Sequence, residues 1–169
     1  MVRGTPLRGG ESMGRDGQFH KGRFHPSFPS KYKGDFNNII YRSSWELEFM
    51  RWCDRNSNIL EWGSEEFHIP YVSPLDNRVH KYFPDFIVRL KEATGKIKTI
   101  VVEIKPKKQC APPKKPKRQT KSYIYETMEY QKNQAKWKAA KEFCLDNGVE
   151  FRVITEDNLG IKPYRKRRK

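Results

Sequence analysis

The run Ile97-Lys98-Thr99-Ile100-Val101-Val102-Glu103-Ile104-Lys105 constrains this chain more than any other segment. Ile100-Val101-Val102 is apolar at consecutive positions, so as a strand it is apolar on both faces and has to lie inside a sheet covered on both sides. Alternation along that strand puts Val101, Glu103 and Lys105 on a shared face, with a carboxylate and an ammonium at the end of the apolar run. Charges placed there need partners, because an unpaired buried charge is costly.

The flanking sequence supplies the rest of a sandwich. Ser43 and Glu46 have capping-box spacing, and Trp45, Phe49, Trp52 and Cys53 recur at helical intervals until Asn56-Ser57-Asn58, which predicts a first helix. Strand-like runs follow at 59–62 and 67–72. A turn at Pro74-Leu75-Asp76-Asn77 leads into 79–90, and a loop at 91–96 containing Gly95 returns the chain into 97–104, a three-stranded hairpin or meander. Residues 122–147 read as a helix from the spacing of Trp137, Ala140, Phe143 and Cys144, with Gly148 placed to end it, and 151–154 returns as a strand. The order α-β-β-β-α-β predicts an α/β sandwich, a central mixed sheet flanked by helices.

With 169 residues the chain has the size of one domain. Residues 1–30 hold six Gly and three Pro without periodicity and are expected to form a flexible basic arm. The folded domain is expected over 31–161, with a basic Pro/Lys loop at 106–121 and a basic tail at 162–169. That loop, counted from Lys105 to Lys121, carries eight positive charges and no acid, and its prolines exclude a helix.

Thirty-five Lys and Arg against twenty Asp and Glu leave +15, an imbalance that points to a polyanionic partner, nucleic acid first. No run approaches the roughly eighteen apolar residues that span a bilayer, and no apolar signal region follows the basic N-terminus, so no membrane role and a cytoplasmic location are expected. Cys53, Cys110 and Cys144 are odd in number with no C-x-x-C pair, which suggests neither a disulfide framework nor a zinc site.

The chemistry concentrates in two places. In Tyr82-Phe83-Pro84-Asp85-Phe86-Ile87, alternation puts Phe83, Asp85 and Ile87 on one face, so a carboxylate points where apolar neighbours point. Adjacent strands lie about 4.8 Å apart, so Asp85 and Glu103 share one cation if the hairpin register brings them level, with Lys105 beside it. Two close carboxylates favour a divalent cation, and Mg²⁺ fits Asp85, Glu103, the carbonyl of Ile104, phosphate oxygens and waters, with Mn²⁺ as a substitute. Such an ion polarises a phosphate and acidifies an attacking water, and Lys105 either orients that water or counters transition-state charge. Pro-Asp alone carries almost no weight, and Glu-x-Lys little in a chain this rich in both residues. The order, the strand positions and an upstream helix Glu carry the argument. The competing readings are a purely capping Glu46, compatible with a catalytic one, an exposed ion pair for Glu103 and Lys105, and a turn or salt-bridge Asp85.

The helix Glu46, the Pro84-Asp85 pair and Glu103-Ile104-Lys105 together resemble the PD-(D/E)XK nuclease superfamily over 41–155. Tyr41-Arg42-Ser43-Ser44-Trp45-Glu46, Trp62-Gly63-Ser64-Glu65, Ile69-Pro70-Tyr71, Glu103 to Lys108, Lys136 to Ala140 and Ile154-Thr155-Glu156-Asp157 further resemble the head-completion nucleases of T-even bacteriophages. The Gly-rich N-terminal arm departs from that family. TnsA-type transposon endonucleases are similar in the catalytic blocks and would need a transposase partner.

The resemblance implies a restriction-endonuclease-like core and a Mg²⁺-dependent endonuclease with Glu46, Asp85, Glu103 and Lys105 catalytic, and Glu46 joining Asp85, Glu103 and Ile104 as a metal ligand. It also implies a late assembly role on packaged DNA ends before the tail joins, in the host cytoplasm or on the virion, with portal or connector proteins of the head and neck as partners. Gln134 and Lys136 on the following helix are candidates to approach phosphate, although a solvated helix face explains them as well. Lys107, Lys108, Lys114, Lys115, Lys117 and Arg118 are candidates for sequence-independent phosphate contacts. His68 and His80 receive no role. A non-catalytic DNA-end or neck-docking protein on a nuclease fold is the main alternative. An RNA-binding module calls for stacking aromatics on an exposed sheet, whereas the aromatics here read as core.

Overall fold

The computed structural model describes residues 21–160. Within them β1 (Gly22–Phe24) pairs antiparallel with β2 (Ile39–Tyr41), followed by helix α1 (Ser44–Arg55) and β3 (Ile59–Ser64). A hairpin of β4 (Ile69–Val72) and β5 (Val79–Tyr82) comes next, then β6 (Phe86–Lys91), β7 (Ile97–Ile104), helix α2 (Lys121–Asp146), β8 (Glu150–Ile154) and the short helix α3 (Glu156–Leu159).

The main sheet has the order β3-β6-β7-β8, antiparallel except for the parallel β7–β8 pair, so it is mixed and flanked by helices as the sequence predicts. β7 is an inner strand buried on both faces, with Val101 on one face and Ile100, Val102 and Ile104 on the other. Ile100, Val102 and Ile104 pack with Phe49, Met50 and Cys53 of α1 and with Trp62 and Phe86. β8 divides likewise: Ile154 joins that cluster, while Phe151 and Val153 join Ile69, Tyr71, Tyr82, Trp137 and Ala140 in the second. Each large side chain so buried contributes about 1.5–3 kcal/mol relative to exposure, which is why a strand apolar on both faces ends up here.

Local signals set the helix ends. Ser43 caps α1, its hydroxyl accepting the Glu46 N–H at 3.1 Å, and Thr120 does the same for α2 through Tyr123 N–H at 3.2 Å. Gly148, at φ +65°, follows α2 in the left-handed conformation that favours glycine. Between β7 and α2 the prolines do exclude an α-helix, leaving a single 3-10 turn at Lys107–Cys110.

Three expectations change. The run 79–90 is not one strand: Tyr82 ends the β4–β5 hairpin, Phe86 begins the main-sheet strand, and the chain crosses between the sheets at Phe83-Pro84-Asp85. Pro84 lacks an N–H for a continuous ladder, and Phe83 is exposed instead of sharing a buried face with Asp85 and Ile87. Residues 22–30 belong to the fold: Phe24 is buried against Trp62 at 5.8 Å between ring centroids, and Ser27 and Phe28 donate their N–H groups to the buried Asp54. The remainder of the expected arm, 1–20, and the tail 162–169 lie outside the described residues. Finally, not every aromatic is core, since Phe28, Phe36, Trp52, Phe83 and Tyr125 are exposed. Cys53 and Cys144 are buried free thiols and Cys110 is a half-buried one. Among the described residues no helix is long and apolar enough to cross a membrane.

Candidate active site

The register of β6 and β7 opposes Phe86 to Val102, so one step further along the ladder sets Asp85 level with Glu103. This is the condition that alternation alone left open. Asp85 precedes the first residue of β6, where backbone pairing has stopped, and its side chain takes the free donor: the Ile104 N–H donates to Asp85 Oδ2 at 2.7 Å. Asp85 Oδ1 has no hydrogen-bond partner among the described residues. Glu103 is 4% exposed; its Oε2 accepts from the Tyr82 hydroxyl at 2.7 Å and its Oε1 from the Lys105 ammonium at 3.2 Å.

The electrostatics follow from crowding like charges under a protein surface. Burial, then the charge of Glu103, push the Asp85 carboxyl well above the usual carboxylate range. Glu46 adds to this, while the Ile104 N–H and Lys105 oppose it. Burial alone would lower the Lys105 ammonium, but Glu103 and Asp85 outweigh it and raise its pKa. Burial and then the charge of Glu103 push the Tyr82 phenol upward, keeping it a donor. Lys136 lies over the Tyr82 and Tyr71 rings at 5.6 and 5.8 Å, and burial, followed by the neighbouring Lys105, lowers its pKa.

Glu46 is placed differently from the other three. Its Oε2 accepts the Arg42 N–H at 2.8 Å and its Oε1 the Ser43 hydroxyl at 3.1 Å, so the carboxylate folds back on the start of its own helix, and burial raises its pKa. The capping role is therefore real. Among the described residues no three His, Cys, Asp or Glu side chains converge closely enough to hold a metal ion, so in this conformation Glu46 does not join Asp85 and Glu103 in one cage.

Three residues received no role from the sequence. Arg42 pairs with Glu65 and feels the charges of Glu46 and Asp85, while the Glu65 N–H donates to the Asp85 carbonyl at 3.2 Å from a left-handed backbone at φ +54°. Both stand in the quoted blocks Tyr41 to Glu46 and Trp62 to Glu65, and a charged residue adjoining a strand end or helix cap was the signal. Tyr82 offered no such signal, because its carboxylate partner lies 21 positions away.

The basic candidates separate. Lys107 is engaged by α3, its N–H on Glu156 at 2.8 Å and its ammonium on Asp157 at 2.7 Å. Lys108 and Lys114 line a cavity against α2, and Lys115, Lys117 and Arg118 are exposed without an ion pair among the described residues. Lys136 adjoins the carboxylates, whereas Gln134 is exposed and no hydrogen bond links it to them. His80 pairs with Asp76 and His68 lies against Phe83.

Residues 56–156 match the family model of the TnsA-like endonuclease N-terminal domain. The chain is similar to the head completion nuclease of Enterobacteria phage T4, with 39% identity over 144 residues that span 83% of this chain and 93% of that relative.

Proposed function

Because this chain belongs to the TnsA-like endonuclease N-terminal family, we propose that it is a divalent-cation-dependent DNA endonuclease that hydrolyses phosphodiester bonds at the end of β7. The observation that carries this reading is the meeting of Asp85 and Glu103 on adjoining strands, with Lys105 ion-paired to Glu103 and Asp85 held well above its ordinary proton affinity.

The residues fit a Mg²⁺ ion, or Mn²⁺ in its place. Mg²⁺ is commonly bound by one or two carboxylates together with substrate phosphate and water, not by an all-protein cage. Here the donor set is Asp85, with Oδ1 free, Glu103 and the carbonyl of Ile104; Glu46 is assigned an outer position, contributing negative charge across the helix cap. The bound cation would supply Lewis acidity toward the phosphate and acidify the attacking water. Tyr82 fixes Glu103, and Ile104 N–H fixes Asp85. Lys105, protonated beside two carboxylates, counters charge that develops on the phosphate. In this reading the set Pro84-Asp85 with Glu103-x-Lys105 is a PD-(D/E)XK motif, and Lys136 together with Lys108, Lys114, Lys115, Lys117 and Arg118 meets backbone phosphates.

We assign the biological task as head completion, acting on packaged DNA ends before the tail joins and contacting head or neck proteins. Support comes from the span of the likeness to the phage nuclease, 93% of its length, against a family-model match confined to 56–156. A transposon role has only that narrower match behind it.

The test is cleavage of linear, supercoiled and branched DNA with Mg²⁺, with EDTA, and by Lys105→Ala. Metal-dependent cutting that the variant loses is the expected result. Tight binding with no cutting on any substrate would replace this reading with a non-catalytic DNA-end or neck-docking protein.

A further inference from the structure

A cavity of about 760 Å³ opens between the Pro/Lys segment and α2, within the ~300–1,000 Å³ range of ligand pockets. Its α2 wall carries Tyr125, Glu129 and Asn133 at four-residue spacing, with Tyr130 beside them, and its other wall carries Lys108 and Lys114. The chain links the cavity to the site, since its lining begins at Lys108, three positions after Lys105, and the charge of Glu129 in its wall acts on both Lys105 and Lys136.

Three features of the lining select a ligand. Asn133 is 4% exposed, yet among the described residues its amide has no hydrogen-bond partner. Among the described residues the buried side-chain polar atoms without a partner are those of Trp62 and Trp137, so the Asn133 amide is not sealed and offers a donor–acceptor pair to the cavity it lines, a site for a complementary edge. Tyr125 is 65% exposed, an aromatic face offered to solvent at the cavity wall. Lastly, the lining sets Lys108 and Lys114 against Glu126 and Glu129, the latter ion-paired with Lys132, so carboxylates interrupt its positive charge in a chain of charge +15. Carboxylates in the lining disfavour a bare phosphate inside the cavity and tolerate an uncharged aromatic ring, leaving phosphates to the lysines at its rim.

We infer that this cavity receives an unpaired nucleobase of the DNA, its edge hydrogen-bonded by the Asn133 amide and its face stacked on Tyr125. The inference rests on the DNA-nuclease reading and deepens it: the preferred substrate carries unpaired nucleotides beside the scissile bond, as at an overhang, gap or branch. Asn matches a base edge that presents one donor and one acceptor together, and stacking on an aromatic side chain is tolerant of base identity. The phosphates flanking the inserted base then meet Lys115, Lys117 and Arg118 outside the cavity.

The experiment uses the full chain in EDTA with an oligonucleotide duplex bearing 2-aminopurine in a single-stranded overhang, and the same duplex fully paired. Wild-type protein quenches the overhang probe on binding. Tyr125→Ala abolishes the quenching and weakens overhang binding about tenfold, and Asn133→Leu weakens it comparably, while affinity for the paired duplex is unchanged in both. Tyr125 is exposed, so its variant keeps the fold even if Asn133→Leu does not. Equal affinity of wild type for both probes, or variants that weaken both equally, overturns the inference. No cleavage takes place in EDTA, so quenching by a protein that never cuts in Mg²⁺ would sink the nuclease reading and leave the base site standing. Cutting without quenching would do the reverse.

Discussion

Asp85 is the residue on which stability and the proposed activity pull in opposite directions. Burial and Glu103 raise its proton affinity in the folded chain, so the folded state binds more protons than the unfolded one. Stability therefore falls as pH climbs from the ordinary aspartate value, about 3.9, toward the raised one. Asp85→Asn removes this cost while its side-chain oxygen can still accept the Ile104 N–H. Its melting temperature in EDTA is expected to exceed that of wild type at pH 8 and to converge with it near pH 4, while cleavage is abolished. Added Mg²⁺ should then raise the melting temperature of wild type alone. A variant less stable than wild type at pH 8 would show that the cost of burying Asp85 beside Glu103 is outweighed by what its charge contributes to the fold. Tyr82→Phe tests the neighbouring contact: it leaves Glu103 Oε2 without its buried donor, and loss of such a supporting hydrogen bond typically weakens metal binding 10–100-fold. The Mg²⁺ concentration for half-maximal cleavage should rise by about tenfold or more, and an unchanged requirement would mean that the hydroxyl does not position Glu103.

At the scale of elements, α1 is held at both ends by contacts that serve different purposes. Ser43 and Glu46 close its start, and its C-terminus is a latch. The Lys31 ammonium donates to the carbonyls of Cys53, Asp54 and Asn56 at 2.8–3.0 Å, and the Asp54 carboxylate accepts the N–H groups of Ser27 and Phe28. Orphan carbonyls at a helix end are satisfied by a cation that the helix dipole also favours. Asp54→Ala strands two amide donors, so a loss of about 2–3 kcal/mol is expected, read as a lower urea midpoint, with new proteolysis within 22–31. Protection of that segment in the variant would mean that Phe24 and Lys31 suffice to hold it. This latch also shows what sequence reading misses. α1, β7 and α2 were legible to within about a residue because their caps and periodicities are local. The fold of 22–31 was not, since its partner Asp54 lies 26 and 27 positions away. At the site the same division applies: Glu103 follows from strand alternation, and Asp85 and Lys105 from their order beside Pro84 and after Glu103, whereas Tyr82, Arg42 and Glu65 act through contacts between separate elements. The bend at Pro84 carried a signal in the missing N–H, but which sheet each half would join is set by tertiary pairing.

Across the whole molecule, the excess of positive charge is not evenly available. Lys98 is paired with Glu92 and Glu150, Lys33 with Glu61, Lys107 with Asp157 and Lys132 with Glu129. Lys115, Lys117 and Arg118 have no such partner among the described residues, and Lys114 lies next to them at the cavity. They follow β7 and the 3-10 turn at Lys107–Cys110, so in the proposed reading the segment that leaves the carboxylates also presents cations to a duplex. Each phosphate contact releases condensed counterions, and the logarithm of the binding constant falls with the logarithm of salt concentration by about 0.9 per contact. Replacing Lys114, Lys115, Lys117 and Arg118 together with Ala should therefore reduce that slope by up to about 3.6. KM for linear DNA should rise with little change in kcat, because charges that hold substrate and transition state alike alter binding more than the chemical step. A fall in kcat at saturating DNA with an unchanged salt slope would instead put this segment in the chemistry, and would require its lysines to reach the scissile phosphate beside Lys105.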